Sequence, residues 1–176
     1  MHFPTLSLVV LGLSASTSAL PTPPRRQQCT STRTVSDPGF YAAGFLPSAD
    51  FSTDPPYYEN QILEFQPSFS SPSATCTLFG NFEAGLKIRV KGNAKPVLDV
   101  YQRHSSTEKK LIGTFANLPP LDENGALTDI VSAPLGTVKC SAGMVFEFQV
   151  KLEEPGDWAG IAFEEDGMSG FDLLAC

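Results

Sequence analysis

Residues 144–151 read MVFEFQVK, and this octet constrains the fold more than any other stretch. Met144, Phe146, Phe148 and Val150 alternate with Val145, Glu147, Gln149 and Lys151. Successive side chains of a strand point to opposite faces, so period two means a strand with one apolar face. The same period recurs in QILEF (61–65), TCTLFGNF (75–82), VLDVYQ (97–102) and KLIGTF (110–115). Leu86, Ile88 and Val90 alternate with Lys87, Arg89 and Lys91, which predicts a half-buried strand with a basic outer face. Residues 138–140 give a further short strand. Turn-forming residues separate these runs: the Ser/Pro-rich 68–74, Asn124-Gly125, and Ser141-Ala142-Gly143. No ten-residue window carries a helical period. Many short strands with frequent turns predict an all-β fold, a single antiparallel β-sandwich of jelly-roll or immunoglobulin-like type. There is no internal repeat.

The stretch WAGIAFEEDGMSG (158–170) holds the only tryptophan, Trp158, and three consecutive acids, Glu164, Glu165 and Asp166. Ala159, Ile161 and Phe163 share one face; Phe171 and Leu173 share a face further on. A three-residue loop, Asp166-Gly167-Met168, would pair Phe163 with Phe171 and Ile161 with Leu173, and put all four apolar residues on one side. Register follows the buried face, so the expectation is a bulged hairpin with Gly167 in its left-handed position. That register also sets Trp158 beside Cys176.

The N-terminal residues resemble a targeting segment. An apolar run at 6–13 and small residues Thr17-Ser18-Ala19 predict a signal peptide over 1–19. The run is far shorter than the ~20 residues of a membrane span. Residues 20–26 read as a pro-segment ending in the dibasic pair Arg25-Arg26. Residues 27–56, rich in Pro, Gly and Ser, read as an extended, turn-rich entry, and 57–176 as the sandwich domain. Loss of Arg25 and Arg26 leaves 10 Lys plus Arg against 19 Asp plus Glu, a net charge of −9. Such a surface repels phosphate backbones and anionic membranes. The chain is expected to be secreted and extracellular, with a protein or a cell-wall glycan as its partner.

Four cysteines follow the signal: Cys29, Cys76, Cys140 and Cys176. An even number in a secreted chain predicts two disulfides, with three connectivities open. None forms a C-x-x-C pair, so no zinc site is expected. No N-x-[ST] sequon is present, and FDLLAC is not a lipid-anchor tail.

Several residues are candidates for chemistry. Glu164, Glu165 and Asp166 have the oxygens that calcium takes, but adjacent strand residues point apart and no EF-hand-like loop surrounds them. A solvated hairpin tip is the expectation. A carboxylate pair such as Glu164 and Asp172 would suit glycoside hydrolysis. His104 lies in the charged, Ser-rich YQRHSSTEKK, which reads as an exposed loop without a nucleophile elbow. Trp158, Tyr57 and Tyr58 combine flat apolar area with a polar tip and suit a sugar ring. Trp158 has the alternative role of covering a disulfide, as buried tryptophans do in other sandwiches. No catalytic residue, metal or cofactor is expected.

The order PYYENQILEF, ATCTLFGNF, VLDVYQ, GTVKCSAGMVFEFQV and GIAFEEDGMSGFDLL resembles the fungal But-two C-terminal-domain family over about residues 57–176. Ser141 stands where that family usually has proline. The resemblance implies a non-catalytic fold. Cys76 and Cys140 match family positions, which implies that they pair and that Cys29 pairs with Cys176. The reading is a secreted, non-catalytic β-sandwich protein acting in extracellular or cell-wall binding or structure. A lectin-like carbohydrate-binding module is the first alternative, and a small polysaccharide hydrolase the second.

Overall fold

A computed structural model of the protein describes residues 29–33, 47–69, 71, 73–116, 120–163 and 169–176. The predicted signal peptide and pro-segment, and the acids Glu164, Glu165 and Asp166, lie outside the described residues. The described part is all-β, with twelve strands in three antiparallel four-stranded sheets, and no described segment is helical. No described helix is therefore long and apolar enough to cross a membrane.

The first sheet orders β1 (Thr30–Arg33), β12 (Gly170–Ala175), β5 (Thr75–Phe82) and β9 (Val131–Lys139). The second orders β4 (Gln61–Phe65), β10 (Met144–Lys151), β7 (Val97–Arg103) and β8 (Lys109–Phe115). The third orders β3 (Tyr57–Glu59), β2 (Ser48–Asp50), β11 (Trp158–Ala162) and β6 (Arg89–Gly92). The segment read as an entry thus supplies two strands, β1 and β2. Of the basic run, Arg89 and Lys91 sit in β6, while Lys87 forms an isolated bridge to Ala126.

The first and second sheets meet through phenylalanine rings. Phe148 of β10 packs on Phe171 of β12 with centroids 4.4 Å apart, and Phe82 of β5 approaches Phe115 of β8 at 6.3 Å. Phe82 also meets Phe163 and Phe171 edge-on, at 5.2 and 5.7 Å. Burying each such ring is worth about 1.5–3 kcal/mol, and edge-to-face geometry adds about 0.5–1.5 kcal/mol. The alternation in MVFEFQVK has the predicted outcome: Met144, Phe146, Phe148 and Val150 are all buried.

The hairpin expected over 158–173 is overturned. β11 and β12 lie in different sheets, β11 between β2 and β6, β12 between β1 and β5. The buried faces are nevertheless as expected: Ile161, Phe163, Phe171 and Leu173 are all buried, and the Phe163 and Phe171 rings lie 6.0 Å apart. Both arrangements bury the same side chains, so the apolar pattern alone does not choose between them. What chooses is β5 and β6. Asn81 pairs Gly170 in one ladder and Arg89 pairs Ala162 in the other, leaving seven residues on each chain between the ladders. One antiparallel register therefore continues from the first sheet into the third.

The disulfides join Cys76 to Cys140 and Cys29 to Cys176. This is the connectivity that the resemblance implied among the three. Cys76 is fully buried on the inner face of β5, and Cys140 follows β9 directly. Cys176 exchanges backbone hydrogen bonds with Thr75, which ties the end of the last strand to β5.

The first and second sheets also touch along one edge. β9 bulges at Leu135, between the pairs Leu78–Gly136 and Phe79–Pro134. β8 bulges at Ile112, between Val100–Gly113 and Tyr101–Leu111. The two bulges face each other. A Cβ on Gly113 would overlap the Leu135 carbonyl, and one on Gly136 would come within 2.7 Å of the Ile112 carbonyl oxygen. Glycine at both positions is what permits this contact.

Candidate functional site

The third sheet carries the candidate site on its outer face. Asp50 of β2 pairs with Tyr57 on one side and with Trp158 on the other. Directly paired residues of an antiparallel sheet project to the same face. Tyr57, Asp50 and Trp158 therefore form one row, with the two aromatics about 10 Å apart by strand spacing. Tyr57 is 55% exposed and Trp158 45%. On the opposite face Ala49 and Ala159 are buried.

The next row on the outer face is Glu59, Ser48, Gly160 and Lys91. Ser48 Oγ donates to Glu59 Oε2 at 3.4 Å. Gly160 has no side chain, so the floor beside Trp158 is low. Arg89 and Ala162 make the third row. Of the basic side chains predicted on one strand face, Arg89 and Lys91 thus lie on the same surface as the tryptophan, and Lys87 does not join them in the sheet.

Trp158 is held from its backbone. Its N–H donates to Asn93 Oδ1 at 2.8 Å, and its carbonyl accepts from the Asn93 N–H at 3.0 Å. Asn93 also donates through Nδ2 to the Gly156 carbonyl at 3.2 Å. Gly92, at φ +123, lies against the Trp158 carbonyl where any Cβ would overlap it. Asp50 holds the middle of the row. Its Oδ1 accepts from the N–H and the hydroxyl of Ser52, at 2.8 and 2.5 Å. The register places this carboxylate residue between the two exposed aromatics.

Trp158 does not sit beside Cys176, as the hairpin register required. Trp158 pairs in the third sheet, whereas Cys176 closes the first next to Thr75. Covering that disulfide is therefore not its role. Tyr58 leaves the row: it pairs with Ala49 on the other face, and its ring packs edge-on to Phe51 at 5.6 Å. Asp172 accepts from Asn81 Nδ2 at 2.7 Å, and Asn81 Oδ1 in turn accepts from Ser132 at 2.6 Å. His104 is exposed, its N–H bonded to the Glu108 carbonyl. Among the described residues no three His, Cys, Asp or Glu side chains gather as a metal site.

Sequence reasoning missed two features. Asp50 joins the aromatics only through a three-residue strand with no periodic signal. The second is a polar cluster on the outer face of the second sheet. Glu147 is buried there, accepts from Lys109 Nζ at 2.7 Å and Asn60 Nδ2 at 2.8 Å, and forms an ion pair with Arg103, whose Nε lies 3.5 Å from Oε2. Lys109 also lies 4.4 Å over the Tyr101 ring. Burial, followed by the charge of Asp99, holds the Tyr101 hydroxyl above the usual tyrosine range.

No protein-family model matches this chain, and no curated protein matches it.

Proposed function

We propose that the protein is a secreted, non-catalytic binding protein that holds a carbohydrate on the Trp158–Asp50–Tyr57 row. The observation that carries this reading is that two exposed rings flank a carboxylate in one row. Flat rings cover the apolar face of a sugar, and a fixed carboxylate accepts from its hydroxyls. Glu59, Ser48 and Lys91 add donors and acceptors beside the row. Two disulfides fit an oxidising, extracellular compartment. The cell wall, the source of such glycans, follows from that setting and from the resemblance to the But-two C-terminal-domain family. We read the first and second sheets as the two layers of a sandwich that the third sheet extends, supported by the rings that meet between them.

A glycan array with wild type, Trp158→Ala and Tyr57→Ala tests the reading. Binding by wild type that either variant loses is the expected result. An empty array for the wild type overturns it. Release of soluble reducing ends from wall polysaccharides would instead favour a hydrolase.

A further inference from the structure

A groove of about 840 Å³ opens between β8 and β9. It begins where the facing bulges end. At Gly113 and Leu135 the two backbones touch; beyond them Lys110–Ile112 and Thr137–Lys139 separate and become its walls. Both strands are edges, β8 of the second sheet and β9 of the first, and no ladder joins them among the described residues. Each edge therefore turns unpaired backbone N–H and C=O groups towards the gap, a ready template for another strand.

The charge of the groove is opposite to that of the chain. The whole sequence carries a net charge of −7, yet Lys110 and Lys139 line the groove and, among the described residues, no carboxylate does. Leu111, half-exposed, adds an apolar contact. The floor lies near Cys140 and is fixed by the disulfide to Cys76.

We infer that this groove takes an acidic, extended peptide segment of a partner protein, added as a strand to the edges of β8 and β9. Backbone pairing supplies affinity in such additions, and side-chain contacts supply selectivity. The lysines select acidic side chains, and their attraction weakens as salt screens it. The site is separate from the aromatic row and does not depend on a glycan being bound there.

Fluorescence anisotropy with labelled octapeptides tests this on the full protein. The probes are an alternating Glu-Val peptide, its Gln-Val counterpart, and the Glu-Val peptide N-methylated throughout; labelled oligogalacturonate is the fourth. The expected result is saturable binding of the Glu-Val peptide. Affinity should fall at least about tenfold for each other probe and for the Lys110→Glu/Lys139→Glu variant. Both lysines are exposed, so an unchanged thermal midpoint will show that the variant is folded. Trp158→Ala should bind the peptide as wild type does. Absence of Glu-Val binding overturns the proposal, as does equal binding of either control peptide. Equal binding of oligogalacturonate would make a polyanionic glycan the occupant. Self-association that the lysine variant abolishes would make it a second copy. Either outcome overturns the proposal.

Discussion

Two sets of aromatic side chains divide this molecule. Phe65, Phe82, Phe146, Phe148, Phe163 and Phe171 are all buried, most of them in contact with one another between the sheets. Trp158, Tyr57 and Tyr58 are exposed, and Tyr101 is half-exposed under a lysine. The rings are of similar size, so area alone does not sort them. The polar tip does. A phenol or indole buried between apolar sheets needs a hydrogen-bond partner, whereas at the surface water or a ligand serves. The inner set is therefore the part that holds the sheets together, and the outer set is the part free to recognise something.

That division can be broken from either side. The largest effect is expected inside. Phe171→Ala removes a ring that touches Phe82, Phe148 and Phe163, and should cost about 3–5 kcal/mol in denaturant unfolding. Replacing Cys76 and Cys140 together by serine frees a buried link across 64 residues, and should cost about 2–4 kcal/mol in the same measurement. Tyr101→Phe acts at the boundary between the two sets. The folded chain holds this hydroxyl above its ordinary value, so its contribution is fully present below about pH 10 and is lost as pH rises further. Alkaline unfolding curves of Tyr101→Phe should therefore fall less steeply than those of wild type. The smallest effect on folding is expected outside. Trp158→Ala should change stability by no more than about 0.5 kcal/mol while abolishing glycan binding. A stability loss comparable to that of Phe171→Ala would place Trp158 with the inner set.

Local pattern revealed the strands that bury one clean face. β4 and β5 have the predicted bounds, and β10 covers the alternating octet 144–151. Alternation there is a property of each strand alone. β1, β2 and β3 carry no such mark: two have three residues, and all take their conformation from neighbours. β9 was legible only at its end, because Pro134 and Gly136 disfavour a strand and the bulge at Leu135 moves the inward face from odd to even positions. The false hairpin has the same origin. Faces are local, but partners are not, and Leu173 pairs with Leu78 from far along the chain. The site follows this rule. Its aromatics were recognisable by type, yet only the register of β2 shows that Tyr57 belongs with Trp158 and Tyr58 does not.

The bond between Cys29 and Cys176 spans 147 positions and makes the described chain a covalent ring. A protease that cuts this ring once, at any exposed loop, releases no fragment. The product has two chains, one added water and all three sheets still tethered. A closed ring therefore needs two cuts where an open chain needs one.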